Sequence, residues 1–302
     1  MTTTEILERG YRRYDGPRLG VWAAMRSVVR FTVQRCLGIH RPARTKVFPI
    51  LVIVLAYVPT AVYVGVVVLG NRLQRGGMVP GRAMAQQFVP TYAGLYLSVT
   101  LAIVVFAAFV APEVLCPDRR TGMLGLYLAS PLDRWTYLTA KAMAVLMITC
   151  AVTVGPGLIL LIGYSTQGVG PHGFVDWAAT FGRIVGAGLG VAMLDTAVAL
   201  AISSITSRKA AASATFIALF VGVSGLLGVL VVQGQASNRW GLLNLATLPY
   251  EFVFRVFGEP STITLNAETE VPASLIYAAC LAWVGVSLGV VAWRYRRMDV
   301  TK

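Results

Sequence analysis

Asp195 stands near the middle of a long apolar run, and few other residues of this 302-residue chain have the type and spacing that chemistry needs. A charge in such surroundings costs about 2.5–3.5 kcal/mol on insertion scales unless it is neutralised, paired or wetted. Its role would be that of a polar element in a path through the run or of a subunit contact. Equally, it could be a protonated or hydrogen-bonded packing residue, satisfied by Thr196 or by a hydroxyl on another helix. No basic residue shares its run, so it does not form a proton relay. Lys141 lies too near the end of its own run for an obvious pairing and could snorkel to water.

The second concentration of chemistry is the stretch 113–144, EVLCPDRRTGMLGLYLASPLDRWTYLTAKAMA, an amphipathic, charged hinge between two apolar runs. Enzyme-type constellations find no support. The apolar runs hold no paired acids, no His cluster and no Ser/His arrangement. With only His40 and His172, both in connections, haem ligation is not expected. Cys36, Cys116, Cys150 and Cys280 form no CxxC, so neither a disulfide framework nor a zinc site is indicated. None of the four lysines (Lys46, Lys141, Lys209, Lys302) follows a glycine. The chain therefore has no P-loop and binds no cofactor of its own; any ATP-driven step belongs to another polypeptide.

The elements that position these groups follow from composition. With 56% hydrophobic and 13% charged residues, and a mean hydropathy of +0.69, the chain reads as an all-α integral membrane protein. A hydrocarbon core of about 30 Å needs about 20 helical residues. Six runs have that length, at residues 47–69, 92–110, 137–164, 184–205, 211–232 and 273–293. Residues 1–46 precede them as a cytoplasmic segment, and 47–302 form a six-helix transmembrane domain.

Twenty of the 26 Lys and Arg residues fall in the N-terminal segment, the second-to-third and fourth-to-fifth connections and the C-terminal tail; six fall on the other side. The positive-inside tendency puts both termini in the cytoplasm of a multi-pass cell-membrane protein. The net charge of +13 sits at membrane borders without stacking aromatics between the basic residues, which favours anionic lipid headgroups over nucleic acid. The first apolar run is too long for a signal-peptide core and has no small-residue cleavage pattern after it, so it should stay in the membrane.

Residues 21–37 read as an amphipathic border helix with Trp22, Met25, Val28, Val29, Val33 and Cys36 on one arc; Arg35, at its edge, breaks the pattern. The outer connection 233–271 is too apolar for a free loop in its first half and suggests a re-entrant pair broken near Pro249. A cap on the outer leaflet is the alternative. Gly155, Pro156 and Gly157 predict a hinge or fixed kink in the third span. Gly182, Gly186 and Gly190, and Gly222, Gly225 and Gly228, suggest close helix approach within the bundle or between subunits.

The 113–144 stretch carries Glu113, the Arg119-Arg120 pair, Thr121-Gly122, a short apolar helix 124–128, Ser130-Pro131-Leu132 and Lys141. This pattern resembles the permease subunits of the ABC-2 family of ATP-binding cassette transporters, and the resemblance covers the whole chain. It implies an ABC-2 type permease fold and a coupling helix at 118–135 resting on a separate ATPase. The contact residues carried over are Asp118, Arg119, Arg120, Leu124, Leu126, Tyr127, Leu128 and Arg134, an apolar patch with a charged rim. Glu113, Asp195 and Pro156 are left as pathway or packing residues. The resemblance further implies two ATPase copies that hold ATP and Mg, a second permease of the same or a different chain, and export of a substrate.

The alternative is that the 124–128 patch packs on its own bundle and the chain is a non-transporting anchor of a larger complex. An intramembrane enzyme has no constellation to support it. A secondary transporter is weakened by a single intramembrane acid and no visible internal repeat.

Overall fold

The computed structural model describes residues 20–39, 43–75, 90–123, 132–233, 238–259 and 271–297. Uninterrupted apolar sequence can satisfy its backbone in a bilayer only within itself, and these segments are accordingly helical. They are α1 (Gly20–Cys36), α2 (Ala43–Arg75), α3 (Tyr92–Arg120), α4 (Arg134–Thr153), α5 (Gly155–Thr166), α6 (Phe174–Ile205), α7 (Lys209–Ile217), α8 (Ser224–Val232), α9 (Leu248–Phe257) and α10 (Ala273–Arg296). Among the described residues six stretches are long and apolar enough to cross a membrane: Pro49–Leu73, Tyr92–Arg120, Arg134–Thr166, Phe174–Ile205, Lys209–Val231 and Ala273–Arg296.

The second and fourth spans form the interior. In each, 72% of the most apolar window is buried, against 22% for the first span and 17% for the fifth and sixth. Small side chains allow this: Ala93, Ala107, Ala108 and Ala111 on α3 and Ala187 and Ala192 on α6 are at most 1% exposed. Backbones can approach where side chains are short.

The spans differ from the expected ones at their ends. The second was expected to stop at Val110, yet α3 runs on to Arg120 through Pro112 and Pro117. The fourth begins at Phe174 rather than Ile184, because the polar residues Asp176 and Arg183 lie on exposed helix surface and interrupt nothing. The fifth is three pieces, α7, a π-helical turn Ala218–Val223 and α8.

The third span is kinked at Val154, and the kink is braced. The Tyr57 hydroxyl of α2 donates to the Ala151 carbonyl at 2.7 Å, and Thr60 Oγ1 donates to the Pro156 carbonyl at 3.3 Å. A Cβ on Gly155 would lie 2.0 Å from the Tyr57 hydroxyl oxygen, so only glycine admits the brace. Pro156 is thus part of a packed contact with α2. The other glycine pattern is only partly realised: a Cβ on Gly182, Gly186, Gly222 or Gly225 meets nothing within 4 Å, whereas one on Gly190 would lie 2.3 Å from Phe252 Cε1.

In the outer connection the break falls just before Pro249, which itself occupies the first turn of α9 where a missing N–H is harmless. It falls at Asn244–Thr247, after a 3₁₀ turn Asn238–Leu243. Asn244 Oδ1 accepts from the Ala246 and Thr247 amides at 3.0 and 3.2 Å, while Nδ2 donates to the Ser224 carbonyl at 3.0 Å. α9 buries Leu248, Tyr250, Val253 and Phe254 and packs on α6, α10 and α3.

Candidate functional site

The charged stretch after the second span is held by contacts among six elements, α1, α3, α4, α6, α7 and α10. α3 overshoots its apolar run by almost three turns, which carries Glu113 and Asp118 onto the faces of α1, α4 and α7. Thr121 ends the helix by donating from Oγ1 and its amide to the Pro117 carbonyl, at 2.8 and 2.9 Å. Arg119 and Arg120 occupy the last turn, where cations complement the helix dipole.

Asp118 was expected on the docking surface. Instead it is 2% exposed and forms the centre of a buried cluster. Its Oδ2 accepts from Lys141 Nζ at 2.8 Å and from the Tyr137 hydroxyl at 2.9 Å, and its Oδ1 from Arg35 Nη1 at 3.0 Å. Tyr137 and Lys141 are one turn apart on α4, so both reach the same carboxylate. Lys141 therefore does not snorkel; it is as buried as its partner. Arg35, the misfit of the apolar arc, is the residue with which α1 grips α3: it also approaches Glu113, Nε to Oε1 at 3.9 Å. Glu113 in turn pairs with Lys209, the first residue of α7.

The next residue outward, Arg119, clamps a different junction. Its Nη1 donates to the Ser204 carbonyl and, at 3.2 Å, to the Thr206 carbonyl. These are among the last carbonyls of α6, which have no partner within their own helix. On the far side of the stretch, Leu132 is buried against Val28 and Ala140, Arg134 Nη1 donates to the Tyr295 carbonyl at 3.5 Å, and the Trp135 ring lies under Arg296 at 5.2 Å. Of the expected contact residues, Asp118, Arg119 and Arg134 are engaged within the chain and Arg120 is exposed. Leu124, Leu126, Tyr127 and Leu128 lie outside the described residues.

The border helix matches its expected extent and packs on the bundle. Val28, Thr32 and Cys36 are buried, the first of them against Leu132 and Ala140, whereas Trp22 is 83% and Phe31 67% exposed. One arc thus faces the bundle, and Trp22, Arg26, Arg30 and Phe31 are exposed.

The other candidate, Asp195, is ten residues from the end of α6 at Ile205. At 1.5 Å per residue that is about 15 Å, half the thickness of a hydrocarbon core. It is 1% exposed. Of the partners expected for it, Thr196 is not one, since Asp195 Oδ1 and Thr196 Oγ1 are both buried without a hydrogen-bond partner among the described residues. It lines a small cavity with Tyr96, Thr100 and, from α9, Tyr250.

Sequence reasoning missed Arg35, Tyr137, Lys209, Thr100 and Tyr250. The Tyr137/Lys141 spacing was a usable signal, because two polar side chains one turn apart at a span end need a common partner.

Residues 41–300 match the family model described as ABC-2 family transporter protein. A probable ABC transporter permease protein NosY of Pseudomonas aeruginosa is 27% identical over 248 residues, 74% of this chain and 86% of the relative. The protein of the same description from Stutzerimonas stutzeri is 28% identical over 238 residues, 74% of this chain and 85% of the relative. A six-span helical bundle with a charged stretch after its second span, matched by that model over most of its length, places this chain in the ABC-2 family of transporter permeases.

Proposed function

We propose that the chain is the membrane subunit of an ATP-driven exporter, working with a second permease and with two separate ATPase chains that hold ATP and Mg. The observation that supports this most directly is the cluster around Asp118. A segment displaced by a partner does work on a bundle only if its base is fixed to the helices it must move. Here the base is tied to α1 by Arg35, to α4 by Lys141 and Tyr137, and to the α6–α7 turn by Arg119.

In this reading Leu124, Leu126, Tyr127 and Leu128 form the apolar anchors in the ATPase, with Arg120 on the rim. Asp118 and Arg119 act as positioning residues, and the motion of the cassettes passes through them to α4 and α6. Both termini lie in the cytoplasm, so the ATPase approaches from the side that carries the basic excess.

The test is purification of the tagged chain in a gentle detergent, identification of bound polypeptides by mass spectrometry, and an ATPase assay in lipid nanodiscs. A stoichiometric P-loop ATPase is expected. Leu126→Glu or Tyr127→Glu should abolish permease-dependent ATPase activity while leaving the elution profile unchanged. Normal coupling in both variants would remove the docking assignment, and a bound ATPase whose turnover ignores the permease would leave an anchor rather than a transporter.

A further inference from the structure

Arg119, Arg134, Arg294, Arg296 and Arg297 gather at the neighbouring ends of α3, α4 and α10. α4 and α10 both pack on α6, and at this end they meet through two contacts of their own. Arg134 Nη1 donates to the Tyr295 carbonyl at 3.5 Å, and the Arg296 guanidinium lies over the Trp135 ring at 5.2 Å. One residue on, Arg297 lies over the Trp293 ring at 4.6 Å.

This charge is not balanced from within. None of the five arginines forms an ion pair with a carboxylate among the described residues; Asp118 and Glu113 are taken by Arg35, Lys141 and Lys209. Asp133, the remaining described acid at this end, is exposed and pairs with none of them. Arg294 Nε is buried without a hydrogen-bond partner among the described residues, and the like charge of Arg119 is near it. A guanidinium resting on an indole keeps N–H donors for a planar or tetrahedral anion, and phosphate is the anion its fork fits.

The surface beside these arginines decides where the phosphate comes from. The sixth span buries only 17% of its most apolar window. Ala282, Gly285 and Gly289 stand 14, 11 and 7 positions before Arg296, so they share its face of α10, and all three are exposed. A Cβ on either glycine would meet nothing within 4 Å, so the face is a shallow apolar furrow that runs from Arg296 into the span. The indoles of Trp135 and Trp293, 47% and 53% exposed, stand beside its end, as tryptophans do at headgroup level. A free anion would use the arginines and leave the furrow bare, whereas a lipid fills both.

We propose that the neighbouring ends of α4 and α10 bind an anionic phospholipid, its headgroup phosphate held by Arg296 and Arg297 and one acyl chain lying in the furrow of α10. Bound there, the lipid supplies the missing negative charge and ties the little-buried sixth span to the third. The site belongs to this chain alone and does not rest on the ATPase reading.

Thermal unfolding of the full-length chain in a neutral detergent, followed by tryptophan fluorescence, tests this with dioleoyl phosphatidylglycerol against dioleoyl phosphatidylcholine, and against glycerol phosphate as a headgroup without chains. Phosphatidylglycerol should give a saturable rise in Tm of about 3 °C or more, and the other two should give none. Arg296→Ala and Arg297→Ala, both at exposed positions that folding tolerates, should each raise the half-saturating phosphatidylglycerol concentration about fivefold. Arg296→Lys keeps the charge without the fork and should recover part of that loss. Gly285→Leu fills the furrow, leaves every arginine in place and should weaken binding too, whereas Arg183→Ala, exposed on the outer part of α6, should change nothing. An equal response to phosphatidylcholine, or a wild-type response in both arginine variants, overturns the proposal. So does a response to glycerol phosphate alone, which would make this a free-anion site, or a Gly285→Leu protein that elutes as a smaller species, which would put a second copy of the chain on the furrow.

Discussion

Lys141 and Asp118 form an ion pair of 2.8 Å in which the two side chains are 2% and 3% exposed, and it joins α3 to α4. A pair this buried is costly to break from one side, because the remaining charge loses its closest counter-charge without regaining water. The carboxylate also accepts from Tyr137 and Arg35, so its lone pairs are used on both oxygens.

Loss of one member should therefore be worse than loss of two. Lys141→Met should destabilise the protein by about 3–5 kcal/mol, and Lys141→Met combined with Asp118→Leu should recover much of that loss. Recovery should be incomplete because Arg35 keeps no carboxylate at Asp118, though its side chain is 30% exposed and water screens it. A double-mutant cycle on thermal unfolding in detergent measures this; additive losses would mean that the pair is not the unit described.

The pair of Glu113 and Lys209 should behave differently. With Lys209 almost half exposed, its attraction is screened, and Lys209→Ala should cost only about 0.2–1 kcal/mol. Comparing it with Lys141→Met in the same assay separates the exposed edge of the cluster from its buried centre, and a loss at Lys209 equal to that at Lys141 would contradict the ranking.

Six spans were legible because length and hydropathy are local properties, each run carrying its own evidence. The cluster was not, because its members come from α1, α3, α4 and α7 and meet only through packing. Arg35 shows the limit: on its own helix it reads as a flaw in an apolar arc, and its reason appears only when α3 lies alongside. The end of α3 was hidden for another cause, since Pro112 and Pro117 read as stops, yet a helix packed on several neighbours tolerates the lost hydrogen bonds. In the outer connection Pro249 marks the neighbourhood of the break but is itself a helix start; the residue that holds the break, Asn244, is not legible because its bond to Ser224 spans 20 residues.

Asn244 holds that joint with a 3%-exposed amide that satisfies two backbone amides and one carbonyl. In Asn244→Ala the Ala246 amide keeps Ser224 Oγ as an acceptor at 3.2 Å, but the Thr247 amide loses its partner and the Ser224 carbonyl, at the start of α8, its second one. The expected cost is about 1–3 kcal/mol, together with faster proteolysis in the 238–259 stretch. Asn244→Asp keeps the acceptor and sets a carboxylate against the Ser224 carbonyl, so it should be at least as damaging. Unchanged protease resistance in both would show that the joint is held by other contacts.

The packing of α9 on α6 includes one close approach, Gly190 under the ring of Phe252, and this can be broken and repaired. A methyl at Gly190 would sit 2.3 Å from Phe252 Cε1 and 2.5 Å from its Cζ, so the ring must leave or the helices must part. Phe252 is also set edge-on to Tyr277 of α10 at 5.7 Å, so a displaced ring disturbs that contact as well. Gly190→Ala should therefore destabilise by about 1–3 kcal/mol through overpacking. Adding Phe252→Leu, which removes the atoms in conflict, should return part of the loss, whereas Phe252→Leu alone should itself be destabilising by opening a gap. Reversal of sign between backgrounds, read as Tm in detergent, is the signature of direct contact. If Phe252→Leu is equally harmful with glycine or alanine at position 190, α9 does not bear on α6 there.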